Sequence, residues 1–224
     1  IESIVLELWA KQLDGFSRKG ASPSALRSPD LYLNEMRLIK SNYEIGRMRE
    51  ASQISAEAHE FVRANAFSKT NERQLQGLVE AFFLEKGARG PAYNSIVASG
   101  DNACVLHYTS NNSELKKGDL VLIDAGCSLM DYYNGDITRT FPVGGKFSGE
   151  QKALYEIVLE AQKEAIRNVI VGVSSNHIHH EALKVLINGL KDIKLLRGET
   201  DGIIENGSYR HFYMHKTGHW LGLD

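Results

Sequence analysis

Apolar residues recur at helical spacing from the first position, at Ile1, Ile4, Val5, Leu8 and Trp9, which predicts a helix over residues 1–14 with Gly15 as its stop. The run GFSRKGASPSALRSPD then loses any period and is rich in Gly, Ser, Pro and basic residues, so it reads as a connecting segment with a domain boundary within 15–35. Helical period returns twice. Ser41 and Glu44 form a capping-box pattern ahead of Ile45, Met48, Ile54, Ala58, Phe61 and Val62. Thr70 is placed to cap a second helix, with Leu75, Leu78, Val79, Phe82 and Phe83 inward and Gly87 as its end.

The period then shortens to that of strands. SIVAS, CVLHY, LVLIDAG and DITRTFPV are short apolar or β-branched runs set apart by turn residues. After them the order begins again: Ser148 and Gln151 form another capping box before Leu154, Ile157, Val158, Ala161 and Ile166, and a helix from about Ser174 carries Ile178, Val185, Leu186 and Leu190 inward. HFYMHK and HWLGLD return to strand character. Helix, helix, strands followed by helix, helix and the start of strands predicts an α+β fold of two similar halves, sheets packed together and helices outside, the second half ending early.

Composition narrows the classes. With 224 residues, 42% of them hydrophobic, the chain can bury one sizeable core, or one domain plus the remnant of another. A net charge of −2 without a dense Lys/Arg run excludes nucleic acid and a charged membrane surface as expected partners. No apolar run approaches the roughly 20 residues that span a bilayer, and the first residues lack the basic flank of a secretion signal, so a cytoplasmic setting is expected. Because the chain begins at Ile1, loss or processing of a native N-terminus is expected as well. Cys104 and Cys127, both in predicted strands and without CxxC spacing, read as buried free thiols.

Candidate chemistry centres on two aspartates. Asp124 ends the apolar run Leu120, Val121, Leu122, Ile123, where a free carboxylate is costly to bury. Asp136 stands in the same position before Ile137, and a reversal through CSLMDYYNG would bring the pair to cross-strand distance. Alone, each reads as a turn aspartate; together they favour a shared divalent ion over mutual repulsion. His215 and His219 are four apart, which in a strand puts both rings on one face. His177, His179 and His180 begin a polar-faced helix and are expected to be solvated, whereas His107 closes an apolar strand where a substrate contact would be exposed.

The runs YNSIVASGDNACVLHYTSNNSELKKGDLVLIDAGC, GDITRTFPVGGKFSGEQKALYEIVL and HFYMHKTGHWLGLD closely resemble the aminopeptidase P (Xaa-Pro aminopeptidase) family, from about Glu35 to Asp224. That resemblance implies a pita-bread (creatinase/aminopeptidase-like) fold, with residues 1–35 the end of an N-terminal domain plus linker and 36–224 an incomplete catalytic domain. It implies two divalent metal ions, most often Mn2+, whose bridging hydroxide cleaves the N-terminal residue from peptides with proline second, in a protein that is homo-oligomeric at full length. By the same resemblance Asp124, Asp136 and His219 are metal ligands, His215 is a catalytic histidine beside them, and His107 lines the substrate site. The family's two glutamate ligands have no counterpart before Asp224, so this chain by itself is expected to be inactive. CSLMDYYNG is one residue longer than its counterpart, which raises the prospect of a shifted register between the aspartates. An Xaa-Pro dipeptidase and a non-catalytic peptide-binding module are the alternatives; a methionine aminopeptidase fits less well, because the simplest of these lack the segment before Glu35.

Overall fold

The computed structural model describes residues 2–14, 25 and 27–223, and the chain divides into two compact units, residues 1–40 and 41–224. In the first unit, helix α1 (Glu2–Asp14) forms where the apolar period predicts it, although Ile4 and Leu8 stay exposed. Gly15, its expected stop, and most of the connecting run lie outside the described residues. The end of that run is not a connector. Helix α2 (Asp30–Leu38) starts after Pro29, with Asp30 in its first turn and Arg37 in its last. Those charges suit the helix dipole, and proline is compatible with a helix start, so SPD was a start signal read as a linker.

In the second unit, helix α3 (Asn42–Asn65) opens with the predicted capping box: Glu44 N donates to Ser41 Oγ at 3.3 Å and Ser41 N to Glu44 Oε2 at 2.7 Å. Its buried stripe is Ala51, Ile54, Ser55, Ala58, His59 and Val62, whereas Ile45 and Phe61, expected inside, are 41% and 39% exposed. Helix α4 (Glu72–Glu85) starts one residue later than predicted, because Asn71 rather than Thr70 accepts from Arg73 N, at 2.8 Å. Leu75, Val79 and Phe83 face inward, and Gly87 at φ 81° ends the helix.

Strands β2 (Ile96–Ser99), β3 (Leu120–Asp124) and β5 (Thr138–Pro142) form an antiparallel sheet with β3 in the centre, while β1 (Gly90–Pro91) pairs with β4 (Cys127–Ser128). Alternation along β3 sends Val121 and Ile123 into the core shared with α3 and α4. Leu122 and Asp124 therefore lie on the opposite face.

CVLHY does not continue the sheet. Gly100–Cys104 is a 3-10 turn, Cys104 is exposed, and His107 takes φ 54°. Within the run Val105 N donates to Asn102 O at 3.0 Å and Tyr108 N to Val105 O at 3.3 Å, so its donors close local turns, and the segments on either side are tied to Glu72, wholly buried at the start of α4. Its carboxylate accepts from Ser99 N and Ser99 Oγ at 2.8 Å each, Asn102 Nδ2 at 3.1 Å, Tyr108 OH at 2.8 Å and Ser113 N at 2.9 Å. Backbone donors committed to a carboxylate are lost to a strand ladder. Burial by itself would push this carboxyl up, but the bonds from Ser113, Asn102 and Ser99 outweigh it and hold it below its ordinary value. Glu72→Gln should therefore cost about 2 kcal/mol of stability at neutral pH. A depressed folded pKa contributes stability above the unfolded value and loses it as pH falls, so the deficit should shrink below the unfolded reference of 4.5. Urea denaturation giving equal deficits at high and low pH would contradict this.

Helix α5 (Gly149–Arg167) begins with the predicted Ser148–Gln151 capping box, and α6 (Ser175–Asp192) with the predicted Ser174 cap. A methyl group on Gly189 would overlap Ile157, so the two helices approach closely. Ile157 is the side chain that meets Gly189, and Ala161 and Ala165 are buried on α5, whereas Leu154, Val158 and Ile166 of the same apolar period are exposed. A second small core joins Leu183 and Ile187 of α6 to Ile203 of α7 (Thr200–Asn206). HFYMHK and HWLGLD, expected as strands, form none among the described residues. Ser208–His211 is a 3-10 turn, and Leu223 makes a lone bridge to Tyr133. A strand needs a neighbour for its backbone groups, and here that one bridge is the extent of it. Among the described residues no helix is long and apolar enough to cross a membrane.

Candidate metal centre

β3 ends at Asp124, whose partner in the antiparallel register is Thr138, so Asp136 enters from the returning chain just before β5. Ala125 N donates to Ile137 O at 3.1 Å and closes the mouth of this reversal. Two glycines permit the approach. A Cβ on Gly126 would overlap the Gly135 carbonyl oxygen and lie 2.8 Å from Asp136 N, while one on Gly135 would meet Ser55 Oγ and lie 2.8 Å from Ala51 O. Ser55 Oγ already donates to Ala51 O at 2.7 Å and accepts from Cys127 N at 3.0 Å, which ties the reversal to α3. The outer turn is held from the same helix: Arg47 Nε and Tyr43 OH donate to Asp131 Oδ2 at 2.7 and 3.0 Å. Tyr132 takes φ 70° in that turn, and the longer loop leaves both carboxylates on one side.

What the two carboxylates share is Tyr93. Ala92 N donates to Gly126 O at 2.8 Å, and the next residue places its hydroxyl 2.7 Å from Asp124 Oδ1 and 2.9 Å from Asp136 Oδ1. Burial first, then the two carboxylates, pushes the phenol pKa upward, so Tyr93 stays protonated. It has a single proton for two anionic acceptors.

His219 closes the group, with Nε2 3.0 Å from Asp136 Oδ2. Its Nδ1 is 2.7 Å from the Trp220 carbonyl oxygen, which can only accept, so Nδ1 carries the hydrogen. In the neutral ring Nε2 then points a lone pair at a carboxylate, an arrangement that calls for a proton or a metal ion between them. Accordingly the Trp220 carbonyl, followed by Asp136 and Asp124, raises the His219 pKa against an opposing effect of burial.

Two carboxylates with one phenolic proton and one oriented imidazole leave an excess of negative charge, and oxygen and nitrogen donors of this kind suit a hard or borderline divalent cation. Among the described residues no group of three or more His, Cys, Asp or Glu side chains is gathered as a ready metal cage. Tyr93 stands between the carboxylates.

The other histidines fall elsewhere. His215 is exposed, lies edge-on to Tyr213 at 4.7 Å between ring centroids, and donates from Nδ1 to Lys216 O at 2.8 Å. Among the described residues it shares no hydrogen bond with Asp124, Asp136 or His219, and since its segment is not a strand, the shared strand face expected for His215 and His219 does not exist. His107 sits on its exposed left-handed turn. His177 is exposed as expected, but His179 is half-buried: Nδ1 bonds Thr217 Oγ1 at 2.8 Å and the ring stacks on Tyr213.

Sequence reasoning missed Tyr93 and His59. GPAYNS carries only a turn signal, and nothing in its spacing points to Asp124. His59, buried on α3, donates from Nε2 to Ala125 O at 2.9 Å and so holds the residue after Asp124, while its Nδ1 has no partner. Burial lowers its pKa and keeps it neutral. Its place on the buried stripe with Ala51, Ile54 and Ala58 was the available signal.

Comparison with known proteins gives consistent matches. The model of metallopeptidase family M24 matches residues 46–224. The Xaa-Pro aminopeptidase of Haemophilus influenzae is 50% identical over 194 residues, covering 86% of this chain and 44% of that protein. The Escherichia coli enzyme of the same name is 44% identical over 192 residues, covering 86% and 43%. Among solved structures, a variant of Escherichia coli aminopeptidase P in complex with substrate superposes with a TM-score of 0.93 at 41% identity, covering 99% of this chain and 50% of that one. A zinc-substituted form in complex with product gives the same TM-score, 0.93. These likenesses show the pita-bread fold, of which the chain spans about half the length of the relatives it matches.

Proposed function

Since the chain belongs to metallopeptidase family M24, we propose that Asp124, Asp136 and His219 are divalent-metal ligands of an aminopeptidase that releases the N-terminal residue from peptides with proline second. The observation that carries this reading is the convergence of both carboxylates on the Tyr93 hydroxyl, with His219 Nε2 against Asp136. An oxygen-rich set with one imidazole favours Mn2+ over metals that prefer thiolate. When bound, two such ions would polarise the scissile carbonyl and make hydroxide available near neutral pH.

The chain's own groups have distinct tasks. Tyr93 keeps the carboxylates at a fixed separation, and the Trp220 carbonyl turns His219 so that Nε2 faces the centre. Hydrolysis places a water oxygen on the carbonyl carbon and a proton on the departing proline nitrogen. His215, with Nδ1 engaged by Lys216 O, has Nε2 available for that proton transfer, and His107 lines the path of the peptide. A cytoplasmic homo-oligomer acting on peptides, not on nucleic acid or membranes, completes the proposal; the free thiols of Cys104 and Cys127 support that compartment.

The test uses the whole gene product supplied with Mn2+. It should release the first residue from Xaa-Pro tripeptides and longer peptides at least about tenfold faster than from counterparts with alanine second. Cleavage restricted to dipeptides would assign a dipeptidase instead. No metal-dependent cleavage would refute the proposal.

A further inference from the structure

We infer that a cleft beside β3 and β5, at the end of these strands away from Asp124, binds a small organic anion with an aromatic or alkyl body. The cleft encloses about 430 Å3, within the range of small-molecule sites. Val121 and Phe141, which pair across β3 and β5, form part of its wall. Asp124 pairs with Thr138 at the other end of the same strands, and strand alternation turns it away from the Val121 face.

Aromatic rings flank the opening. Phe67, in the 3-10 turn Ala66–Ser68, is 69% exposed, an unusual place to leave a phenylalanine. Its ring rests on Gly145, where an added Cβ would lie 2.9 Å from the ring edge, so the glycine turn after β5 is shaped to receive it. Phe147 and Tyr155 face each other with ring centroids 4.9 Å apart and supply a second aromatic side.

The charge at this cleft has one sign. Arg63, Lys69 and Lys117 line it and no carboxylate does. Arg63 is engaged by Glu60 at 2.6 Å, but among the described residues Lys69 and Lys117 have no ion pair. The Lys117 stem lies along Gly144, with Cγ 3.4 Å from where a Cβ would be, which directs it along the cleft. Two unpaired ammonium groups beside exposed aromatic surface match a ligand with an apolar body and one anionic end. Ammonium groups are point charges without the planar fork of guanidinium, so carboxylate, sulfonate and phosphate heads are all accommodated.

The probe is 1-naphthoate, with uncharged 1-naphthalenemethanol as its partner, titrated calorimetrically into the metal-free whole gene product. Naphthoate should bind at one site about tenfold more tightly than the alcohol, the scale expected of two partly screened charge contacts. Lys69→Glu combined with Lys117→Glu should abolish that preference while leaving the fold intact, since both side chains are at the surface. Asp136→Asn should leave it unchanged. Absence of naphthoate binding, equal affinity for the alcohol, or a preference that survives the double reversal would each overturn the inference. Binding lost in Asp136→Asn and kept in the double variant would place the anion at the metal centre and overturn it too.

Discussion

Gly126→Ala should lower the stability of the chain by about 3 kcal/mol or more, the upper part of the range for forcing atoms into a packed site. A Cβ there overlaps the Gly135 carbonyl oxygen and crowds Asp136 N, both of them backbone, so no side-chain rotation relieves the clash. Gly135 cannot retreat either, because α3 lies behind it at Ser55 and Ala51. The two segments must part, and with them Asp124 and Asp136. A fall in Tm of roughly 6–12 °C is expected for a chain of this size. Gly77→Ala is the control: that residue is on α4 with no atom within 4 Å of a new Cβ, and alanine favours a helix. A Gly126→Ala protein melting with the wild type would show that the close approach does not hold the carboxylates together.

The fold was legible where one local signal decides an element. Ser41, Ser148 and Ser174 each announce a helix through a side chain that bonds its own backbone, and each does so. LVLIDAG and DITRTFPV pair through Val121 and Phe141 as their alternation requires. Legibility failed where a distant partner takes over. CVLHY has the composition of a strand, but its own N–H groups close local turns, while Glu72, far from it in the chain, holds the Tyr108 hydroxyl and the flanking Ser99 and Ser113 N–H groups. Leu154 and Val158 have helical spacing but stay exposed, because α6 meets α5 where Gly189 receives Ile157. HFYMHK and HWLGLD show the same limit, since strand propensity counts only where a neighbouring strand accepts the bonds.

At the candidate centre, Asp124 and Asp136 were visible because a charge at the edge of an apolar run is conspicuous. Tyr93 was not, because a tyrosine in a turn is ordinary until its hydroxyl is seen between two carboxylates. His59 and Ser55 act through backbone atoms of Ala125 and Cys127, contacts that no residue pattern encodes.

The proposed cation-holding role of these carboxylates rests mostly on Asp136. Its side chain faces both Tyr93 and His219, so Asp136→Asn keeps the size and removes the charge from the middle of the group. Without metal the substitution relieves repulsion between neighbouring carboxylates, so the metal-free Tm should be unchanged or higher. Metal affinity should move the other way, since a lost carboxylate ligand removes charge that nothing nearby replaces. The decisive measurement is calorimetric titration of Mn2+ into the whole gene product, wild type and Asp136→Asn, both checked to be folded. The wild type should bind Mn2+, and the variant should bind it at least about a hundredfold more weakly; unchanged affinity in Asp136→Asn, or a folded wild type that binds no Mn2+, would contradict the account.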